Sequence, residues 1–355
     1  MHRRDLMILL AGAATGARAA ETPGLPQGLQ FPADFGAHPQ SRTEWWYVTG
    51  SLQAGTRLWG FQVTFFRSTT GIPPDRTSRF AATELVFAHA ALTDLAAQRL
   101  RHDQRIARSG FGIAQTSVGD TGVVLRDWRL QRSGGAYQAV VDSESAGFAL
   151  SLQIAPTQPV LLQGDAGLSR KGPSPAHTSH YYSEPQLAVT GTLRLGSDPI
   201  AVGGRAWLDH EWSDAFLPPQ AVGWDWIGMN LDDGSALTAF RLRRADGSSV
   251  YAGGSFRGGV ANDAVRKFAP DEVTFAPGRV WQSAASKARY PVQWRVITPA
   301  GTFNVAALLD DQELDSRSST GAIYWEGLSE LRDDSGKRIG RGYLEMTGYA
   351  ATLRL

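Results

Sequence analysis

The sequence predicts an all-β protein built as a tandem pair of antiparallel β-barrels. Three observations carry that reading: short alternating strand signals, scarce helical periodicity, and a second half that repeats the first. Runs such as Leu58 to Phe66, Gly122 to Leu130, Phe148 to Ile154 and Leu187 to Leu195 end at Gly, Asp, Pro or Ser, as half-buried strands do. Only Asp94 to Gln104 and Ala261 to Phe268 offer stretches a helix could use, and both are short and weakly amphipathic.

The repeat is specific. Trp45-Trp46-Tyr47-Val48-Thr49-Gly50-Ser51-Leu52 matches Trp224-Asp225-Trp226-Ile227-Gly228-Met229-Asn230-Leu231, and the match runs on ungapped to pair Gly55 with Gly234, Leu58 with Leu237 and Phe61 with Phe240. Gly204-Arg205-Ala206-Trp207-Leu208-Asp209 matches Gly340-Arg341-Gly342-Tyr343-Leu344-Glu345, and Ala146-Gly147-Phe148 matches Ala300-Gly301 with Phe303. Three matches in one order imply that each half opens with an aromatic hairpin and closes with a Gly-Arg-aromatic-Leu-acid strand. The alternative is the chance similarity that alternating strands always share. Closure into a barrel removes exposed sheet edges, whereas a sandwich leaves them to be managed otherwise. A barrel of about eight strands can hold one small apolar ligand. The repeat places one unit at residues 30–213 and the other at 214–355.

Composition sets the bounds. A chain of 355 residues exceeds one ordinary core, and 42% hydrophobic against 19% charged residues supports two folded units. Eleven tryptophans suit cavity walls and barrel plugs. Residues 1–19 read as an export signal: Arg3 and Arg4, an apolar run from Leu6 to Ala14, and Ala17-Arg18-Ala19 as cleavage site. The paired arginines also permit a twin-arginine route. The expected destination is the periplasm or the exterior. Cleavage would take the formal charge from +1 to about −1, which gives no electrostatic case for nucleic acid. There is no cysteine, so disulfides and thiolate chemistry are excluded. After processing, no apolar stretch approaches the ~20 residues needed to span a bilayer.

The usual hydrolase, metalloprotease, phosphate-loop and dinucleotide signatures are missing. What remains is a concentration of acids, one histidine and aromatics in Trp207-Leu208-Asp209-His210-Glu211-Trp212 and Gly223-Trp224-Asp225-Trp226. In a strand, Asp209 and Glu211 share one face while His210 and Trp212 share the other. Burial of the acid face would raise one carboxyl's pKa and keep it protonated as a proton donor. The opposite orientation puts His210 inside as acid or base. A purely structural acid–histidine network is the competing reading. Asp209, His210, Glu211 and Asp225 are therefore the catalytic candidates, with Asp209, His210 and Asp225 expected to lie together beside a Trp-lined pocket. Glu44 reads as a solvated residue at a strand start, and His89 as a hydrogen-bonded core histidine. His177 and His180 lie in a proline-marked loop without a third ligand, so no metal is expected there.

These two motifs, together with Glu44-Trp45-Trp46-Tyr47, Tyr181-Tyr182-Ser183 with Pro185, Tyr324-Trp325-Glu326-Gly327 and Gly340-Arg341-Gly342-Tyr343, resemble the exported family related to carotenoid 1,2-hydratase. The resemblance runs from about residue 35 to the C-terminus. It implies two lipocalin-like (calycin-type) barrels and a spread of activities, from hydratases and cyclases to bacterial members called predicted hydrolases. The Asp-His part of the hydratase pattern is present in Asp209 and His210, and the sequence departs from it at Glu211. Hydration of a trisubstituted olefin needs an acid, aromatic faces for the cation, and a base for water, with no cofactor. Trp45, Trp46, Tyr182, Trp212, Trp224 and Trp226 are the candidate ligand-binding aromatics. The expectation is a cofactor-independent hydratase-type lyase for an apolar isoprenoid, polyene or lipid-like ligand. The alternatives are a periplasmic carrier beside a membrane transport system, and a hydrolase with an unrecognised site.

Overall fold

Alternating apolar residues can bury one face only if the strands that carry them pair, and here nearly all pair with a sequence neighbour. The computed structural model describes residues 28–73, 78, 80–215, 217–259 and 264–353. Residues 1–19, expected to be an export signal, lie outside them. A 13-stranded antiparallel sheet runs Arg99–Arg108, Glu84–Asp94, Arg57–Thr69, Thr43–Ala54, Pro199–Ser213, Thr178–Leu195, Phe148–Ala155, Ala136–Ser143, Trp128–Ser133, Gly122–Leu125, Ala114–Thr116, with two short strands beside Thr178–Leu195. It curls until its far parts meet: Arg105 on the edge strand donates to Asp127 and to the Asp142 carbonyl, and Ser143 donates to Asp103 at 2.8 Å. A 10-stranded sheet repeats the plan in the order Val265–Phe268, Ser249–Arg257, Ala236–Arg243, Gly223–Leu231, Arg338–Met346, Ala322–Arg332, Gly301–Ala307, Gln293–Thr298, Thr274–Pro277, with Glu313–Ser316 beside Ala322–Arg332. The fold is all-β with lipocalin-like barrels. The one helical element among the described residues is a 3₁₀ turn at Ala33–Phe35.

Asp94 to Gln104, a stretch a helix could have used, is instead a strand end, a turn and the start of the strand Arg99–Arg108. Pairing with Glu84–Asp94 overrides its weak helical pattern. Of Ala261 to Phe268, residues 264–268 are described, and Val265–Phe268 is a strand.

The register shows how far the repeat extends. Tyr47 pairs with Asp209 on the closing strand, and Trp226 pairs with Glu345, as both sequence matches require. Gly204 and Gly340 recur for one reason: a Cβ would come 1.9 Å from the Ser51 carbonyl oxygen in one half and 2.6 Å from that of Asn230 in the other. The ungapped continuation into the second strand fails. Gly50 faces Phe61, while its counterpart Met229 faces Leu237, so the second hairpin is three residues tighter and Phe61 corresponds to Leu237.

Both barrels are packed solid with side chains. Trp46, Val48, Phe61, Val63, Leu150, Leu152 and Leu208 fill the first, and Ile227, Met229, Trp294, Val296, Trp325 and Leu344 the second. The barrels then meet through the outer faces of their opening and closing strands, Thr43–Ala54 against Arg338–Met346 and Pro199–Ser213 against Gly223–Leu231. These strands are buried on both faces, which is why they read as almost continuous apolar runs. Hydrogen bonds fix the junction, including Thr93 to Gln312 (2.7 Å), Gln62 to Tyr324 (3.2 Å), and Asn230 to the Ala206 carbonyl (3.0 Å). No helix of the described residues is long and apolar enough to cross a membrane.

Candidate active site between the barrels

Residues of the closing strand alternate as a strand must. Trp207, Asp209 and Glu211 point out of the first barrel into the junction, and Leu208, His210 and Trp212 point into its core. Asp209 and Glu211 line a cavity of about 290 Å³ shared by both barrels. Its walls are largely aromatic: Trp45, Tyr47, Phe66 and Phe87 from the first barrel, Trp224, Trp226, Phe240 and Tyr324 from the second. This cavity lies between the barrels, where the repeat brings two aromatic hairpins face to face.

Four carboxyls open on this cavity: Asp209, Glu211, Glu326 and Glu345. Asp209 is 4% exposed. One of its oxygens accepts from Ser183 Oγ (2.5 Å) and Trp207 Nε1 (2.7 Å), the other from the Tyr181 hydroxyl (2.7 Å). Burial outweighs these donors and pushes its pKa up to about 7. Glu345 is likewise pushed up to about 7 by burial, with Asp209 and Glu211 adding repulsion. Burial and the neighbouring Glu345 hold Glu326 well above the carboxylate range. Tyr47 and Tyr324 are its polar neighbours, but neither reaches hydrogen-bonding geometry with its carboxyl. Glu211 is raised by burial even though Lys171 Nζ sits 2.8 Å from it and Ser179 donates to it. Lys171 is the one Lys or Arg among the described lining residues, resting 4.6 Å from the Tyr181 ring and 4.5 Å from that of Phe240. Such a set stores protons at neutral pH and can both give and take them.

Trp226 connects the parts. Its indole N–H donates to the Tyr181 hydroxyl (3.2 Å), which donates to Asp209, and its ring meets Tyr47 edge to face at 5.4 Å.

The structure places the predicted residues in three locations. Asp209, Glu211, Trp45, Trp224 and Trp226 line the cavity. His210, Trp46, Tyr182 and Trp212 lie inside the first barrel, away from the cavity that Asp209 lines, which corrects the expected grouping of His210 with Asp209. Strand alternation separates them. Asp225 is also misplaced: it points into the second barrel, bound to Arg241 Nε at 2.7 Å and to the Tyr349 hydroxyl at 2.8 Å. Trp224 and Trp226 flank it in sequence but face the other way.

Glu44 is fully buried, not solvated. It binds Arg67 Nε (2.9 Å), His38 Nδ1 (2.7 Å) and His210 Nε2 (2.8 Å), and this network holds its pKa far below the usual range against the effect of burial. His38 stacks on Trp212 at 3.6 Å and His210 on Trp46 at 4.6 Å. Among the described residues, His38, Glu44 and His210 are the one group whose ligand atoms, within 4.8 Å of one another, could share a metal ion. Those atoms already bond to each other, and Arg67 places a positive charge on the same carboxylate, so the set reads as a structural network. His89 is the hydrogen-bonded buried histidine expected, held by Tyr324 and Ser319 at 2.8 Å each, and it reaches the cavity.

Sequence reasoning left out Tyr47, Lys171, Tyr181, Glu326 and Glu345 as site residues. Glu345 was legible as the repeat counterpart of Asp209. Lys171 comes from a connecting segment with no motif to mark it.

The AttH-like family model matches residues 22–349. An AttH candidate from Nitrosomonas europaea, known by its crystal structure, is 47% identical and covers 93% of this chain and 99% of its own, with a TM-score of 0.84. Kievitone hydratase from Nectria haematococca shares the fold at a TM-score of 0.69, with 15% identity over 93% of this chain and 95% of its own. No curated protein matches the sequence.

Proposed function

This chain belongs to the AttH-like family, and from that premise we propose that it is a cofactor-independent hydratase-type lyase acting on an apolar isoprenoid or lipid-like olefin held between its barrels. One observation carries the reading: a carboxyl with its pKa pushed up to about 7, Asp209, opens on an apolar cavity walled by indole and phenol rings. A neutral acid in such a place is suited to protonating carbon.

Protonated Asp209 gives its proton to one olefinic carbon, forming a C–H bond and leaving a carbocation on the other. The Trp226 face, with Tyr47 and Tyr181 beside it, stabilises that cation in a site dry enough for the interaction to count. Water adds to the cation, and its surplus proton passes to Glu345, the acid on the facing wall. The carboxyl cluster and the Tyr181 hydroxyl then return a proton to Asp209. The balance is olefin plus water to alcohol. Lys171 keeps Glu211 paired, so that the charge in the cluster stays low while protons move.

Native mass spectrometry of the purified protein, followed by incubation of the co-purifying lipid, tests the proposal. Wild type should convert that lipid to a product heavier by one water, and Asp209→Asn should bind it and leave it unchanged. Binding without any mass gain in wild type would make the protein a carrier.

A further inference from the structure

The repeat makes the two barrels comparable end for end. At one end of the first, the chain from Phe31 onward folds back as a plug: Phe35 is buried, Phe31 and Phe35 pack on Tyr182 at 5.2 and 5.8 Å, and His38 stacks on Trp212. Trp212 lies across from Glu44 in the register. At the corresponding place of the second barrel, Gly348 lies against Gly223. Gly348 has φ +74°, and a Cβ there would stand 2.1 Å from the Val222 carbonyl oxygen, so no side chain can fill the space Trp212 fills in the first barrel. A solvent-facing cavity of about 590 Å³ results, roughly twice the size of the one between the barrels.

Its chemistry is unlike that of the carboxyl-lined cavity. Arg241 and Arg243 come from the strand Ala236–Arg243, Arg243 at the register place of Arg67 and Arg241 at that of Phe65. One carboxylate, Asp225, serves both, at 2.7 Å from Arg241 Nε and 3.6 Å from Arg243 Nε, and its other oxygen is taken by Tyr349. Arg243 Nη2 binds the Thr347 carbonyl, and Arg241 Nη1 reaches that of Gly247 at 3.4 Å. Arg241 Nη2 and Arg243 Nη1 have no partner among the described residues and are the donors left for a ligand. The guanidinium planes lie over aromatic walls, Arg243 at 3.8 Å from the Tyr349 ring and Arg241 at 4.9 Å from that of Trp294. Pro277 and Pro291 complete an apolar lining, and Asp246 stands exposed at the rim.

We propose that the mouth of the second barrel is a second small-molecule site, for an organic anion with a flat apolar body. The carboxylate would meet Arg241 and Arg243, and the body would lie along Tyr349 and Pro277 at the mouth. Guanidinium forks bind carboxylates by paired, charge-assisted hydrogen bonds that a neutral isostere cannot form. The inference is independent of the reaction proposed above.

Calorimetric titration with 2-naphthoate and with its uncharged analogue 2-naphthalenemethanol tests it. The anion should bind saturably, one per chain, at least about tenfold tighter than the alcohol. Arg241→Gln should remove most of that preference, and Thr352→Trp, an exposed rim position, should block both probes while leaving the fold intact. If Arg241→Gln does not fold, Thr352→Trp alone decides. Equal affinity for the two probes, no saturable binding of the anion, or naphthoate binding unaffected by Thr352→Trp would overturn the proposal.

Discussion

Asp209 and Glu345 are the same residue of a repeated barrel, each opposite an aromatic of its opening strand, Tyr47 and Trp226 respectively, and both face one cavity. Duplication thus supplied the site with two acids whose burial pushes both pKa values up to about 7. Two acids raised in this way can stand near neutrality with one protonated and one ionised, which is the state acid–base chemistry needs.

The first prediction concerns Asp209. Asp209→Asn replaces a proton donor by a neutral group of the same shape, so ligand affinity should change by less than about threefold while turnover falls by at least about 10²-fold. Steady-state kinetics beside a binding titration checks this. Equal losses in binding and turnover would mean that Asp209 positions the ligand and does no proton transfer.

Stability should carry the same signature, with a sign opposite to that of an ordinary salt-bridged acid. Asp209 is about 3.8 when exposed and about 7 in the fold, so the folded state holds a proton that the unfolded state has lost, and stability falls as pH rises between about 4 and 7. Relative to Asp209→Asn, wild type should lose on the order of a few kcal/mol across that window. Taking the difference between the two proteins cancels the buried histidines, whose lowered pKa values act in the opposite direction. Parallel urea melts from pH 4 to pH 8 measure it, and a pH-independent difference would contradict it.

In the proposed reaction Trp226 gives the cation its aromatic face. Trp226→Phe keeps a ring and loses the N–H to Tyr181, and should lower turnover only a few-fold. Trp226→Leu should lower kcat by about tenfold or more, with KM changed less. Equal losses with Phe and with Leu would show that the hydrogen bond to Tyr181 matters and the ring face does not.

The first barrel's internal network should matter for folding alone. Glu44→Gln leaves Arg67 and the two histidines without their carboxylate and should cost about 3–5 kcal/mol of stability. Turnover per folded molecule should hold, because these groups face away from the cavity. Denaturation curves paired with activity at 10 °C separate the two effects, and loss of turnover in fully folded protein would reassign His210 to the chemistry.

The fold was legible because its signals are local or repeated. Strand alternation, the Trp45 and Trp224 hairpins and the two Gly-Arg closing strands gave class and tandem order, while the pairing of Tyr47 with Asp209 came only with the structure. The alternation of Asp209 and Glu211 against His210 and Trp212 was legible as well. Which face meets which space was not, because a closing strand buried on both sides looks the same in either orientation. That ambiguity put His210 beside Asp209. Asp225 misled for a related reason: two flanking tryptophans suggested a shared site, but in a strand the neighbours of a residue point away from it. Glu44 looked solvated because its partners, Arg67, His38 and His210, are distant in sequence. Lys171 carried no motif, and its place depends on how its connecting segment lies over Glu211.

The proposed chemistry needs Asp209 to be neutral in a large share of the folded protein near pH 7, and difference infrared spectroscopy reads that directly. Subtracting the spectrum of Asp209→Asn from that of wild type should show a protonated carboxyl C=O band at pH 5 that fades with a midpoint near pH 7. A midpoint at or below about pH 4, the range of an exposed aspartate, would show Asp209 ionised at neutral pH and would leave the cavity without the acid on which the proposed chemistry depends.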